Sequence, residues 1–429
     1  LNNILLVLLI AGGAAYLILL GMVIGGLIRL KREEALISNG DAFPTLSPLQ
    51  AGGDTSSVSV IIAARNEAQW IEHTLTAIIA QDYPADKLEI IVVDDRSEDD
   101  TAAIIERVAS QDHRVKLVRQ RSIIPGRSPK KQALAAGIAA SSGEIIVTTD
   151  ADTLPRTEWL RALIGRFTPE VGMVAGQARF IGSKVPEFQS DKVPKFQSSN
   201  VLSFILHPSS FILHPIDGVP LWQRLQALDF ASQGIAAAGL IGAGVPFSCS
   251  GASLAFQRRM YDEIGGWTGV ERLVSGDDEL LMQKAHRAGW KIAAAISPDA
   301  VVATRPPKSL RELWHQRARW GSKGLYYNTP RRLLLAGVYL FCLALIISAA
   351  ADIFLEINHR WALFWVGKAT LDGAALALGA RFFGDRINPV QFLITELLHP
   401  LMIVVFPLAG HFGTFEWKGG RYRSAAAAQ

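Results

Sequence analysis

Apolar and polar positions fall into three regimes along the chain. Ile4 to Ile28 runs without a charge. A bilayer-spanning helix needs about 20 apolar residues, so this stretch predicts a span. It is too long for a signal-peptide core and lacks a basic leader. Arg29, Lys31 and Arg32 follow at once, which by the positive-inside rule puts that end, and the start of everything downstream, in the cytoplasm. In the middle regime, short apolar runs of strand length alternate with segments of helical period. The third regime opens after Pro330-Arg331-Arg332. Leu333 to Phe354 reads as a span, Trp361 to Ala380 is interrupted by Lys368 and Asp372, and Phe392 to Phe412 holds Glu396, His399, Pro400 and Pro407. Lys368 and Asp372 are four apart on one helical face and can neutralise each other. Three crossings there would carry the tail away from the middle regime, whereas Lys418, Arg421 and Arg423 favour the same side. Two crossings plus a re-entrant segment satisfy both, and the sequence leaves the count open.

Within the middle regime, Asp41 to Ser57 is rich in Pro, Gly and Ser and reads as a linker. Strands are predicted at Val58 to Ala63, Leu88 to Val93, Val115 to Val118, Ile145 to Val147 and Val171 to Phe180. Helices are expected between them: one to about Gln81, one capped by Ser97, one from Lys130 to Ala140, one near Trp159 to Phe167. Strands alternating with helices imply βαβ units and a mostly parallel sheet. Lys184 to Ser190 (KVPEFQS) and Lys192 to Ser198 (KVPKFQS), then SFILHPS and SFILHP to Pro215, are short tandem copies that read as a duplicated insert. His207 and His214 are copies of one residue rather than paired ligands. Leu221 to Ala238 has helical period. Gly239 to Gly244 imitates a dinucleotide loop but follows a helix and runs into Pro246, so it reads as a flexible turn. A helix to about Ala288, strands at Trp290 to Ile296 and Ala300 to Ala303, and a basic, aromatic-rich amphipathic helix from Leu310 to Tyr327 complete the region. That last composition suits an interfacial helix.

Composition changes the picture in three ways. Of the 429 residues 49% are apolar and the mean hydropathy is positive, which fits a soluble domain carried on a few spans. The net charge of +4 is small, and no basic stripe with interleaved aromatics suggests nucleic acid. Cys249 and Cys342 are far apart and form neither a zinc pattern nor a disulfide framework.

The candidate chemistry lies at strand ends. In open parallel α/β sheets ligands bind at the carboxyl ends of the strands. Acids recur there: Glu67, Asp94/Asp95, Asp150/Asp152 and Asp277/Asp278, with basic groups at Lys130/Lys131 and Arg319. Two carboxylates at a strand tip can hold a hard divalent cation, and the cation a diphosphate. A lone Asp-x-Asp is usually a solvated turn, and acids at a helix start can simply satisfy its dipole. Four such sites in order with bases suit a metal-bound nucleotide diphosphate.

These residues make the chain resemble the family 2 glycosyltransferases of GT-A fold, in their membrane-integrated branch. The resemblance runs from Val58 to about Tyr327 outside the insert. It is carried by Ala64-Arg65-Asn66-Glu67, Val93-Asp94-Asp95-Arg96-Ser97, Lys130-Lys131-Gln132-Ala133-Leu134, Thr149-Asp150-Ala151-Asp152, Cys249-Ser250-Gly251-Ala252, Gly276-Asp277-Asp278-Glu279-Leu280-Leu281 and Gln316-x-x-Arg319-Trp320. The ending Glu416-Trp417-Lys418-Gly419-Gly420-Arg421 also resembles the family's, with one extra glycine, and Asp277-Asp278 stands where Glu-Asp is commoner. The resemblance implies an α/β GT-A (Rossmann-like), mostly parallel sheet flanked by transmembrane helices. It divides the chain into an N-terminal transmembrane helix (1–30), a linker (31–57), a nucleotide-sugar-binding half (58–182), the insert (183–220), an acceptor and catalytic half (221–308), an interfacial helix (309–329) and a C-terminal membrane region with a basic tail (330–429).

The same resemblance implies roles. Asp95, with Asp94 as fallback, would bind uracil or ribose, and Arg65, Glu67, Lys130, Lys131 and Asp150 would contact the nucleotide sugar. Asp152, with Asp150, would hold Mn²⁺ or Mg²⁺. Asp278, beside Asp277, would be the catalytic base. Gly251, Gln316, Arg319 and Trp320 would line the diphosphate and the acceptor's way in. The expected activity is inverting transfer from a nucleotide sugar, a UDP-sugar above all, to a lipid hydroxyl at the cytoplasmic face of the inner membrane. The partners are then a nucleotide-sugar donor, a lipid acceptor and the bilayer, with no nucleic acid. A processive polysaccharide synthase and a catalytically silent nucleotide-sugar binder are the alternatives.

Overall fold

The computed structural model describes residues 2–38, 56–180, 219–355 and 360–423. The duplicated insert and most of the linker lie outside the described residues. After the N-terminal helix α1 (Asn2–Ser38) come β1 (Val58–Ala64), α2 (Ile71–Ile79), β2 (Leu88–Asp95), α3 (Thr101–Gln111), β3 (Val115–Gln120), α4 (Pro129–Ala139) and β4 (Ile145–Asp150). Then follow β5 (Thr153–Pro155), α5 (Trp159–Ile164), β6 (Val171–Ala175), β7 (Gln177–Phe180), α6 (Leu221–Gly242), β8 (Leu254–Gln257), α7 (Arg258–Glu263), α8 (Glu279–Arg287), β9 (Lys291–Ala294), β10 (Val301–Thr304) and α9 (Leu310–Gly321). The C-terminal region holds α10 (Thr329–Leu355), α11 (Arg360–Phe383), α12 (Pro389–Phe412), β11 (Thr414–Trp417) and β12 (Gly420–Arg423).

The main sheet has the order β3-β2-β1-β4-β8-β6-β9. β1, β2, β3 and β4 pair in parallel, and β8 is antiparallel to both β4 and β6. β1 (VSVIIAA) is apolar almost throughout because a central parallel strand is covered on both faces. Its alternation splits the core in two. Val58, Val60 and Ile62 belong with Ile71, Leu75 and Trp159 on one face. Ile61 and Ile91 belong with Leu134 and Ile138 on the other, and that second core continues without a break into Ile241 of α6, Leu27 of α1 and Phe341 of α10. The sheet and the long apolar helices therefore share one core.

Register sets the functional edge. Ala64 is opposite Asp94 and Ala63 is opposite Asp150, so the ends of β2, β1 and β4 coincide. Several sequence expectations change in detail. The helix expected to be capped by Ser97 begins at Thr101 instead, and the Ser97 hydroxyl accepts the Asn66 N–H at 3.1 Å. Val171 to Phe180 is not one strand: the chain passes at Gly176 from the main sheet into a small sheet, β5-β10-β7. A Cβ at Gly176 would lie 2.6 Å from the Ala300 carbonyl, so only glycine makes that crossing. The amphipathic helix stops at Gly321 and is followed by a short 3-10 turn, Gly324–Tyr326.

The supposed flexible turn at Gly239 is the last part of α6. Its glycines admit the backbone of α1: a Cβ at Gly239 would sit 2.5 Å from the Val23 carbonyl, and one at Gly242 would sit 2.5 Å from the Gly26 carbonyl. Small residues permit this approach of two helices, as in membrane bundles.

Among the described residues three helices are long and apolar enough to cross a membrane: Asn3–Ala35, Thr329–Phe354 and Pro389–Phe412. The C-terminal block is tied to the α/β domain at three points. Arg331 donates to the Pro246 carbonyl at 3.0 Å, Asp385 after α11 pairs with Arg179 of β7 at 3.0 Å, and Lys418 after α12 pairs with Glu67. Both flanks of α12 are therefore tied to the α/β domain, through Asp385 before it and Lys418 after it. Lys368 and Asp372 do neutralise each other, at 2.7 Å, with Glu396 joining at 2.6 Å.

Substituting Gly239 by Val should overpack the α1–α6 contact by about 1–3 kcal/mol. A lower unfolding midpoint in detergent is expected for Gly239→Val, and none for Gly21→Ala, where nothing lies within 4 Å of an added Cβ. Equal midpoints for all three proteins would contradict the close contact.

Candidate active site

A cleft of about 960 Å³ opens at the carboxyl ends of β1, β2 and β4. The loops after β1 and β2 turn sharply, with Asn66 at φ 53° and Arg96 at φ 56°, conformations an L-residue holds only when its surroundings fix it. They are stitched together: the Asn66 Oδ1 accepts the Glu98 N–H at 2.8 Å, and the Thr101 hydroxyl accepts the Glu67 N–H at 2.8 Å.

The cleft gathers Arg65, Glu67, Asp95, Lys130, Asp150, Asp152, Gly251, Asp277, Asp278, Gln316, Arg319 and Trp320. Two of the expected residues lie elsewhere. Asp94 is buried beside the wall and its carboxylate accepts the Ser97 N–H at 3.3 Å, shaping the turn. Lys131 lies beneath the cleft, where its ammonium donates to the carbonyls of Val270, Leu273 and Ser275 at 2.7, 2.9 and 3.2 Å. Adjacent residues on α4 point about 100° apart, so Lys130 faces the cleft while Lys131 clamps the loop that leads to Asp277. The nucleotide-contact expectation for Lys131 gives way to that clamp, and burial pushes the Lys131 ammonium down to about 8.

The acids are held by cations from distant segments. Lys130 bridges Asp150 at 2.8 Å and Asp277 at 3.0 Å. Burial opposes the Lys130 charge, but Asp150 and Asp277 more than offset it and hold its pKa above the usual range. Burial likewise pushes the Asp277 carboxyl up, and Lys130 with Lys131 pulls it further the other way, to about 2. Arg305, just beyond β10, reaches Asp152 at 3.1 Å and Glu67 at 3.4 Å, while Lys418 in the β11–β12 turn pairs with Glu67 and donates to the Arg65 carbonyl at 3.1 Å. Even so, burial and the neighbouring Asp150 charge raise the Asp152 carboxyl above its ordinary value. Burial raises Glu67 too, with Lys418 offsetting part and Asp152 adding to the rise.

Asp278 accepts two backbone N–H bonds, from Gly251 at 2.9 Å and Glu279 at 2.7 Å, which aim its carboxylate across the cleft. Next to it Glu279 pairs with Lys323 at 2.9 Å and accepts the Tyr327 hydroxyl. Arg319 lies 5.3 Å above the Trp417 ring and has no carboxylate partner among the described residues. Burial lowers its pKa against the pull of Asp277, Asp150 and Asp278. Sequence reasoning missed Arg305, Lys418, Glu279, Lys323 and Tyr327 as cleft residues. Glu279 stands in an already conspicuous acidic run, and Lys418 in the Trp-Lys-Gly tail, so both carried a signal.

A group of metal-capable side chains also occurs in the helices: Asp372, Glu396 and His399 come within 4.8 Å of one another. The ammonium of Lys368 already joins its two carboxylates. At the cleft, Asp150 and Asp152 offer hard oxygen ligands close enough that the Asp150 charge helps raise the Asp152 carboxyl, which is the donor chemistry a divalent cation needs.

A mostly parallel Rossmann-like sheet with an acid-lined cleft at its carboxyl edge is the arrangement of a GT-A glycosyltransferase. The model of the family "Glycosyltransferase like family 2" matches residues 55–322, and the chain belongs to that family. It is 27% identical over 367 residues to "Probable glycosyltransferase YdaM" of Bacillus subtilis (strain 168), covering 80% of this chain and 78% of that protein. It is 26% identical over 288 residues to the "Beta-monoglucosyldiacylglycerol synthase" of Synechocystis sp. (strain ATCC 27184 / PCC 6803 / Kazusa), covering 66% of this chain and 52% of that one. Among solved structures it is similar to the mannosyltransferase PcManGT from Pyrobaculum calidifontis, in complex with GDP-Man and Mn²⁺, with 22% identity, a TM-score of 0.49, and coverage of 92% and 99%.

Asp277 has a depressed folded pKa, so its contribution to stability is complete above the ordinary carboxylate value of 3.8 and is lost as pH falls through about 2. Asp277→Asn should therefore lower the unfolding midpoint at pH 6, and the gap to the parent should narrow below pH 4. A gap that does not change with pH would contradict the Lys130–Asp277 pairing.

Proposed function

We propose that this glycosyltransferase moves a sugar from a nucleotide diphosphate sugar, a UDP-sugar, to a hydroxyl of a membrane lipid at the cytoplasmic face, with inversion. One observation carries the reading: the cleft that gathers the acids has as its opposite wall α6, the helix whose glycines seat α1. A donor held at the strand tips is then met by an acceptor arriving along the membrane helices. The relative that is a β-monoglucosyldiacylglycerol synthase supports a lipid acceptor. Arg29, Lys31 and Arg32 after α1, and Arg331 and Arg332 at the start of α10, support the cytoplasmic side.

On this reading Arg65 and Asp95 face the nucleoside, and Asp150 and Asp152 hold a divalent cation, Mn²⁺ or Mg²⁺. When bound, the cation would neutralise the diphosphate of the departing nucleotide. Arg319, a half-buried guanidinium without a carboxylate partner among the described residues, would stabilise the charge that develops on that diphosphate. Asp278, oriented by the Gly251 and Glu279 N–H groups, would take the proton of the attacking hydroxyl. Asp277 keeps Lys130 in register beside it. The neighbouring carboxylate of Glu279 is engaged by Lys323 and Tyr327, which leaves one free base and so a single displacement.

Asp278→Asn should retain UDP binding and lose about 10²–10⁴-fold in kcat. Asp152→Ala should abolish metal-dependent transfer in a protein that still folds. Metal-dependent transfer at the parental rate by Asp152→Ala, measured with labelled UDP-sugars, would refute the assignment of Asp152.

A further inference from the structure

The segment that delivers Asp277 and Asp278 to the cleft is held by its carbonyls. Residues 264–278 join α7 to α8 in a run of turns. Buried carbonyls in such a run need donors from outside it. Lys284 of α8 donates to the Gly266 and Thr268 carbonyls, each at 2.9 Å. The Ser128 N–H, just ahead of α4, donates to the Glu271 carbonyl at 2.7 Å. The Trp267 indole N–H donates to the Asp277 carbonyl at 2.7 Å.

Lys131 sits at the centre of this arrangement and is 2% exposed. Its ammonium donates to the carbonyls of Val270, Leu273 and Ser275 at 2.7, 2.9 and 3.2 Å. An ammonium has three N–H groups, and three carbonyls use them all. Only Gly276, at φ 76°, separates the last of these carbonyls from Asp277, and Asp278 follows. The grip therefore ends where the acids begin. Lys131 itself does not line the cleft.

We propose that Lys131 is a positioning residue for sugar transfer: by gathering the Val270, Leu273 and Ser275 carbonyls, its ammonium fixes the backbone from which Asp277 and Asp278 enter the cleft. The proposal rests on the reading of Asp278 as the base and adds what holds that base in place. The grip needs the charged form. A neutral amine keeps two N–H groups and turns a lone pair towards the third carbonyl.

Burial brings the Lys131 ammonium down to about 8; Asp277, Asp278 and Glu271 favour its charge and Lys323 opposes it. Other groups at this end of the cleft move upward. Burial pushes the Cys249 thiol and the Tyr327 hydroxyl well above their usual ranges. Despite burial, Asp150 and Asp277 hold Lys130 above its ordinary value, and Glu279 does the same for Lys323. Positioning is therefore complete below pH 8 and is lost as pH rises through about 8.

The test uses the full chain in nanodiscs of a total lipid extract, with a labelled UDP-sugar for turnover and UDP with Mn²⁺ as the binding probe. The parent's kcat should fall as pH rises through about 8, while the Kd for UDP stays constant. Over the same range the amides of residues 270–276 should lose protection from hydrogen exchange. Lys131→Arg stays charged far above that pH, so the fall should move up by about one unit or more. Lys131→Met should bind UDP as the parent does, lose about 10²-fold in kcat and show no fall near pH 8. The parent's own profile decides the matter if either variant does not fold. A kcat and an exchange protection that stay level between pH 7 and about 9.5 would overturn the inference. So would a fall that stays in place in Lys131→Arg, or a parental kcat in Lys131→Met. A parent that transfers label from no UDP-sugar at any pH would instead remove the transferase reading, and the exchange measurement would still report on the grip.

Discussion

Crowded negative charge is the constraint around which this protein is built. Glu67, Asp150, Asp152, Asp277 and Asp278 all face one cleft. Two like charges about 4 Å apart repel by about 4 kcal/mol at an effective dielectric near 20, a large part of the stability of an ordinary domain. Lys130 from α4, Arg305 from beyond β10 and Lys418 from the C-terminal hairpin converge on Asp150, Asp152 and Glu67 and offset part of that repulsion. Segments hundreds of residues apart are drawn together by that requirement. Burial and the remaining mutual repulsion leave the Asp152 and Glu67 carboxyls raised.

A second consequence is that cleft and membrane helices form one body. One face of the sheet continues through α6 into α1 and α10 as a single apolar core. The hairpin beyond α12 returns to the cleft, with Glu416 paired to Arg311 at 3.0 Å and Trp417 beneath Arg319. The helices thus hold α6 and α9, the two walls that carry Phe230 and Trp320, at a fixed spacing from the strand tips.

Much of this was legible in the sequence. Acids at the ends of β-branched runs were bound to meet at one edge, because parallel strands bring their carboxyl ends together whatever the loops do. What escaped depended on tertiary direction. Lys130 and Lys131 look alike in a line, but one turns into the cleft and the other beneath it. Gly239 and Gly242 read as flexible, yet they are small so that α1 can approach. Arg305 carried no local pattern, and the tail motif around Lys418 did not name its partner, since both partners are defined only when the small sheet and the tail hairpin fold back. The C-terminal segments are ambiguous in number because apolar length reports only the capacity to cross a bilayer, and the Arg179–Asp385 and Glu67–Lys418 pairs that tie both flanks of α12 to the domain carry no local pattern.

On the proposed reading, a nucleotide-sugar cleft built onto apolar helices serves a lipid. The most direct measurement is the fate of label when membranes containing the chain are given a panel of labelled UDP-sugars with Mn²⁺ or Mg²⁺. The account predicts label in the organic extract as a glycolipid, dependent on the added cation. Label confined to a water-soluble or insoluble polymer, or donor binding without transfer from any UDP-sugar, would contradict it.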